Sequence, residues 1–244
     1  MQQEKINQGS PIHTKSIIFG MVLMFVIVHV GFHATYIKYF PVFKDATWLH
    51  HIHGALMGAW VLLLLLQPIL IHKKNYAAHR FIGKSTYVIA PIMIVSMLFV
   101  ARYNYLTGII ENTPVEVFAW QSITWMQIFM FILFYSLAII YRKDTPSHMR
   151  FIIATAIIMI GPAMGRIIFT YFDTLPATYD AVIPLYVKTG VAAAFLLSDI
   201  IKKKNWMPYF MVLLAFLLSD VVYFARYSDV WQGIGKFIAN NFYY

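Results

Sequence analysis

The sequence predicts an all-α, polytopic membrane protein with seven transmembrane helices, a duplicated four-helix core, an inside N-terminus and an outside C-terminus. Three observations support this prediction. Of the 244 residues, 60% are hydrophobic and 12% are charged, about half the charged share of an ordinary soluble domain. Apolar runs long enough to cross roughly 30 Å of hydrocarbon recur along the whole chain. Basic residues are concentrated in alternate connecting segments.

Seven apolar runs define the predicted spans. They cover residues 16–38, 50–71, 82–103, 118–141, 150–171, 183–201 and 207–226. Because the connections are short, we expect one membrane domain over 16–226, preceded by a cytoplasmic polar tail at 1–15 and followed by a short outer segment at 227–244. We expect the segment 104–117 to form the longest outer loop.

The charge distribution predicts the orientation. Segments 1–15, 72–84, 142–150 and 202–204 contain 12 of the 19 Lys and Arg residues. Seven of the ten acidic residues fall in the other half, namely Asp45, Glu111, Glu116, Asp173, Asp180, Asp220 and Asp229. Cytoplasmic loops carry an excess of Lys and Arg, so the N-terminus is predicted inside. We therefore attribute the net charge of +9 to loop bias and expect no nucleic-acid partner.

Two basic loops resemble each other and predict an internal repeat. His79-Arg80-Phe81-Ile82 matches the stretch from His148 to Ile152, and each stretch follows a basic pair. Each also precedes a proline by about ten residues, Pro91 and Pro162. Two parallel helical hairpins would account for this pattern; chance combined with the positive-inside bias is the alternative. The step from His to Arg is one residue in the first copy and two in the second, which rotates the second arginine by about 100°.

Small residues recur in two spans. Gly54 with Gly58, and Gly161 with Gly165, have the G-x-x-x-G spacing that lets helix backbones approach closely. These glycines predict either plain helix packing or space for a flat cofactor ring.

Ionisable residues inside the spans are the candidate functional groups, because they are costly there. Eight of the nine histidines lie in or next to spans, in two groups near opposite faces. The outer group is His29, His33, His50, His51 and His53, and the inner group is His72, His79 and His148, with Arg80, Arg150 and Asp199 nearby.

Three hypotheses account for these residues. In the first, the histidines and arginines anchor helix ends, and Asp220 pairs with Lys188 or Arg166 to stabilise the bundle. In the second, histidine pairs ligate b-type haem and nearby cations bind its propionates. In the third, Arg166, Lys188 and the histidines line an outer pocket for a small polar or anionic molecule. The absence of cysteine excludes iron–sulfur clusters and covalently attached haem, and no H-E-x-x-H sequence suggests a zinc hydrolase.

Several short motifs resemble those of a group of bacterial seven-helix membrane proteins with no assigned activity. They are the stretch from His53 to Trp60, Leu66-Gln67, His79-Arg80 with Gly83-Lys84, His148 with Arg150, and Arg166. This resemblance runs from span two to the C-terminus and implies the bacterial inner membrane. A Gly-Arg-x-His sequence expected after Asp199 is replaced by the stretch from Lys202 to Trp206. The chain is also similar, at the level of fold, to haem-binding membrane proteins built from duplicated hairpins.

The predicted function is non-covalent binding of haem b, in membrane electron transfer or in the assembly of a respiratory complex. The alternatives are a non-enzymatic transporter or receptor with an outer-leaflet polar pocket, or a structural subunit of a membrane complex. Expected partners are the lipid bilayer and other membrane subunits. The candidate cofactor ligands are His29, His33, His53, His79, His148, Arg80 and Arg150, and the predicted charge network is Arg166, Lys188 and Asp220. Of the histidines, His29, His33 and His53 are preferred, because the glycine pairs lie at similar depth.

Overall fold

A computed structural model describes residues 14–43 and 46–244 of the chain. The described part is all-α, 84% helical and without strands. Of the predicted polar tail at 1–15, only residues 14 and 15 belong to the described part, where they begin the first helix. Lys5 and the acidic residue Asp45 lie outside the described residues.

The described chain forms nine α-helices. They are α1 (Thr14–His33), α2 (Trp48–His72), α3 (Tyr76–Gly83), α4 (Thr86–Glu111), α5 (Pro114–Ile140), α6 (Thr145–Tyr171), α7 (Tyr179–Ile201), α8 (Met207–Phe224) and α9 (Asp229–Ile238). A 3₁₀ turn at Ile37–Tyr39 follows α1, and a π turn at Ala239–Tyr243 follows α9. Counting α3 and α4 as one span, seven helices are long and apolar enough to cross a membrane.

Helix α6 lies at the centre of the bundle and packs against α1, α5, α7 and α8. Its apolar stretch is 56% buried, whereas those of α1 and α2 are 17% buried. The two predicted hairpins correspond to α2 with α4 and to α5 with α6, and these helices pack in sequence. They differ locally, since the first copy breaks at Lys84-Ser85 while α6 is continuous. The predicted duplication of the core stays a prediction.

The prediction of a long outer loop at 104–117 is wrong. Helix α4 continues to Glu111 and α5 begins at Pro114, so only Asn112 and Thr113 connect them. Thr113 and Glu116 form a reciprocal capping box, with proline at the first helical position, and this sequence signature starts a helix. The hydrophobic runs predict only the membrane-crossing parts of α4 and α5. They do not predict the polar ends of these two helices.

The segment predicted as a short outer tail packs against the bundle. The Trp231 indole N–H donates to the Phe118 carbonyl of α5 at 2.7 Å, and Arg102 of α4 donates to the Tyr243 carbonyl at 3.1 Å. Gly235 allows close approach here, because a Cβ at this position would lie 2.6 Å from the Phe118 ring. Helix α9 and the π turn therefore close the end of the bundle formed by α4 and α5.

Candidate functional site

The preferred ligand set is not brought together. His29 and His33 lie on the outward side of α1, with ring centroids 6.2 Å apart, and the His29 ring stacks with Phe25. His53 lies between α2 and α4, where its Nδ1 is 3.0 Å from the Ser96 hydroxyl oxygen. The Ser96 hydroxyl donates to the Met93 carbonyl, so His53 must donate to Ser96. His53 therefore joins two helices instead of facing another histidine of the outer set.

The neighbouring histidines of α2 have local structural roles. His50 and Thr47 form the capping interaction that starts α2, with the Thr47 hydroxyl 2.9 Å from Nδ1 of His50. His51 Nδ1 lies 2.6 Å from the Tyr36 hydroxyl, and its ring packs edge-on against Phe43. Burial raises the pKa of Tyr36, so its phenol remains protonated and can act as the hydrogen-bond donor. The first contact caps the start of α2, and the second holds Tyr36 and Phe43 against it.

A large cavity lies at the end of the bundle where α1 begins. This end carries the basic loops and is called the basic face. The basic-face cavity has a volume of about 1130 Å³ and lies among α1, α2, α3 and α6. Its apolar walls include Met21, Trp60, Leu63, Leu64, Ile152 and Ile153. Five cations also line it, namely Lys74, Arg80, Lys84, Arg142 and Lys143, and no acidic residue of the described chain does.

His79 and His148 line this same cavity from two different hairpins. His148 has a defined tautomer, because its Nδ1 lies 2.8 Å from the Ala138 carbonyl, which only accepts hydrogen bonds. The neutral ring therefore carries its proton on Nδ1 and presents a lone pair at Nε2. A ring nitrogen held by a backbone carbonyl is the usual support of a metal-ligating histidine.

The Gln67 side chain controls the tautomer of His79. With its NH₂ group towards the ring, Gln67 donates to Nδ1 and to the carbonyl of His79, and its oxygen accepts from the Gly83 N–H at 3.2 Å. In this orientation Nδ1 accepts a hydrogen bond, so the neutral His79 ring carries its proton on Nε2. Nε2 becomes free to bind a ligand only if the Gln67 amide turns and its oxygen accepts from Nδ1, which gives up the hydrogen bonds to the His79 carbonyl and the Gly83 N–H. Gln67 is thus a positioning residue. It belongs to the motif Leu66-Gln67 but is absent from the ligand set that the sequence predicts.

The two predicted arginines differ in position, as the unequal spacing indicates. Arg80 is exposed and lines the basic-face cavity. Arg150 is buried, and its Nε donates to Asp199 at 2.6 Å between α6 and α7. Arg150 is therefore engaged in a structural ion pair and does not line the cavity.

The predicted charge network lacks its ion pair. Within the described residues, Arg150–Asp199 is the one ion pair closer than 4 Å, so Asp220 is not paired with Lys188 or Arg166. Asp220 instead accepts from the Thr189 hydroxyl at 2.7 Å. Arg166 and Lys188 line a second cavity, in the other half of the bundle, together with Gln127 and Asp180. No direct ion pair joins these three described side chains, and the charge network as a set stays a prediction.

The glycine pairs serve mainly in packing. A Cβ at Gly165 would lie 2.8 Å from the Asp180 carbonyl oxygen, so this glycine lets α6 approach the start of α7. A Cβ at Gly58 would meet no described atom within 4 Å, so packing does not require glycine there. Gly161 has a different surrounding, since its Cβ would lie 3.4 Å from Gln127 Nε2 and 3.5 Å from Lys188 Cδ. A Cβ at Gly54 would lie 3.7 Å from the Tyr36 ring and hydroxyl, whereas Gly161 makes space for an amide and a lysine side chain.

No known protein family, curated protein or solved structure matches the chain.

Proposed function

We propose that the protein binds one haem b in the basic-face cavity and acts there in membrane electron transfer or in the assembly of a respiratory complex. The observation that carries the proposal is that His79 and His148, contributed by two hairpins, line one apolar cavity. Bound haem would supply one-electron redox chemistry, and this chain would supply its ligands, its apolar surroundings and its counter-charges.

The residues present fit the group. His148 offers a lone pair at Nε2. His79 would offer one after the Gln67 amide turns, so that its oxygen accepts a hydrogen bond from Nδ1 in place of the contacts with the His79 carbonyl and the Gly83 N–H. Trp60 lines the cavity and links α2 to α6, since its indole N–H donates to the Thr155 hydroxyl of α6 at 3.3 Å. Arg80 and Lys84 belong to a lining that includes no acidic residue of the described chain, and they can neutralise two propionates.

The proposal differs from the sequence prediction in place. His29, His33 and His53, the preferred ligands of the sequence prediction, do not converge, so the proposed haem lies near the basic face. A single haem near one face would exchange electrons with a partner docked at that face. It would not carry them across the whole bilayer.

An absorption spectrum tests the proposal. The protein, purified from cells supplied with a haem precursor, should show a Soret band and sharp reduced α and β bands. His148→Ala and His79→Ala should each convert a low-spin spectrum to a high-spin one or remove the haem. His72→Ala is the matched control, because His72 lines the same cavity but is exposed and lies 2.9 Å from the Thr14 hydroxyl. A protein that stays colourless after incubation with haem would contradict the proposal. An unchanged spectrum in the double variant, with both His79→Ala and His148→Ala, would also contradict it.

Variants of Gln67 provide a second test, which distinguishes positioning of His79 from a purely structural role of Gln67. Gln67→Glu keeps an acceptor for the Nδ1 proton of His79 and should retain haem. Gln67→Leu removes it and should weaken haem affinity by roughly 10–100-fold, the usual effect of losing an outer partner of a ligand. Equal affinities in the two variants, with both folded, would exclude Gln67 as a positioning residue.

A further inference from the structure

The second cavity lies in the half of the bundle opposite to the basic face, among α5, α6 and α7. It has a volume of about 510 Å³, and its polar lining residues are Thr35, Gln127, Arg166, Asp180 and Lys188. It shares no lining residue of the described chain with the basic-face cavity. A function of this cavity is therefore independent of the haem proposal.

Lys188 is the feature of this cavity that needs a ligand. Its side chain is 1% exposed, among the most buried large side chains of the described protein. Within the described residues its ammonium has no ion pair closer than 4 Å, and it lies 5.6 Å from the centroid of the Phe216 ring. A charge inside a membrane span is costly and usually faces a partner or a cavity. Lys188 has the cavity and, in the part of the chain that the structure describes, no ion-pair partner.

Asp220 is close enough to Lys188 to interact with it electrostatically, but no ion pair closer than 4 Å joins these two described residues. Asp220 is buried and uses one oxygen to accept from Thr189, and its other oxygen has no hydrogen-bond partner in the described chain. Arg166 also lacks an ion pair among the described residues; it donates to the Pro162 carbonyl at 3.1 Å and stacks over Phe32 at 4.3 Å. Two cations thus line one cavity, and no described carboxylate neutralises either of them by direct contact.

Gly161 makes room for the Gln127 amide and for the carbon stem of Lys188. The position of its missing Cβ is 3.4 Å from the Gln127 amide nitrogen and 3.5 Å from the Lys188 stem. The Gln127 NH₂ group is a donor, and the Lys188 ammonium provides three donors. The Gln127 amide from α5 and the stem of Lys188 from α7 therefore meet over the surface of α6 at this glycine.

The other lining residues indicate which charge a ligand should carry and which further polar group it should have. The lining itself carries two cations, Arg166 and Lys188, and one carboxylate, Asp180, while Asp220 lies near Lys188 without lining the cavity. Pro184 has no N–H, so the carbonyl of Asp180 lacks its usual helical donor. The cavity thus offers donors for one anionic group and acceptors for a hydroxyl or an amine.

We propose that this cavity binds a small monocarboxylate that also carries a hydrogen-bond donor, such as a hydroxy acid or an amino acid. The ligand carboxylate lies against Lys188 and Gln127, and its donor group lies towards Asp180. Arg166 sets the positive potential at the same end of the cavity. This site would be used for recognition or transport of a solute from the face opposite to the basic loops.

Calorimetric titration of the purified full chain with sodium lactate and with glycine tests the proposal, with sodium chloride at equal ionic strength as the reference. Saturable binding of at least one of these probes is expected, with no binding of chloride alone. Lys188→Met should weaken binding at least about tenfold, since it removes a charge-assisted hydrogen bond. The unfolding temperature of the ligand-free Lys188→Met protein is measured alongside, so that a loss of binding can be distinguished from a loss of fold.

Two further variants make the result decisive. Gln127→Leu should also weaken binding, and it reports on the site if Lys188→Met fails to fold. Lys236→Met is the matched control, since Lys236 is exposed on α9 and should leave affinity unchanged. The proposal is overturned if neither carboxylate binds, or if Lys188→Met and Gln127→Leu bind as tightly as the parent. A less stable Lys188→Met protein with unchanged affinity would show that Lys188 has only a structural role.

Discussion

Arg150 and Asp199 form a buried ion pair of 2.6 Å that joins α6 to α7 near the basic face. Their side chains are 5% and 10% exposed. Arg150 also donates to the Pro146 carbonyl at 2.9 Å, and its guanidinium lies 5.7 Å from the centre of the Tyr209 ring. The central helix is thus tied by charge to α7 and by cation–π contact to α8.

Removing one partner of this pair should destabilise the protein strongly. Asp199→Asn or Arg150→Met leaves a buried charge without compensation, which costs roughly 3–5 kcal/mol. The double variant Arg150→Met with Asp199→Leu should cost less than the sum of the two single variants. Thermal and denaturant unfolding in detergent measure these losses. Arg142→Met is the control and should change little, because Arg142 is exposed. Additive single effects would show that the pair is not energetically coupled.

Hydropathy predicts the seven spans because the cost of placing polar backbone in lipid restricts the chain to apolar helices. It does not predict which helix is central. In a membrane, the side facing lipid and the side facing protein are both apolar, so α1 and α6 have similar patterns although their burial differs greatly. The positions of His29 and His33 on the outward side of α1 depend on the rotation of that helix.

The sequence predicts the candidate site in part. His79, His148 and Arg80 do line one cavity, whereas Arg150 is held by Asp199, a residue 49 positions away in the chain. The sequence places Asp199 among the inner charged residues, but its partner depends on how α6 and α7 pack. Gln67 could have been found from its motif, as a lone amide inside an apolar run usually has a hydrogen-bond partner.

The contact of α1 with α6 depends on one glycine. A Cβ at Gly31 would lie within 2.9 Å of the Ala163 backbone, so Gly31→Ala should force the helices apart and cost roughly 1–3 kcal/mol. Gly20→Ala is the matched control in the same helix, since no described atom lies within 4 Å of that position. This control should be neutral or stabilise the helix by up to about 1 kcal/mol. Similar unfolding temperatures for the two variants would contradict the close approach of α1 and α6.

The end of the chain should respond to alkaline pH. Burial raises the pKa of Tyr243 to about 12, and the usual tyrosine value is about 10. The folded state therefore favours the neutral phenol, and its stabilising effect is full below about pH 10 and is lost as the pH rises towards 12. Unfolding temperatures measured from about pH 8 to 12 should fall in this window. The fall should be smaller in Tyr243→Phe, and an equal fall in both proteins would exclude Tyr243 as a cause.

The orientation of the bundle can be tested at two positions on opposite faces. Lys204 follows α7 at the basic face, and Tyr244 follows the π turn at the other end of the bundle. Because the loops at the basic face carry most of the Lys and Arg residues, this face should be cytoplasmic. A reporter that is active only in the cytoplasm should therefore give a signal when fused after Lys204 and none when fused after Tyr244. A reporter that is active only outside should give the reverse pattern and serves as the control. If both reporters invert, the basic-face cavity opens outwards, and its electron-transfer partner would have to be sought on that side of the membrane.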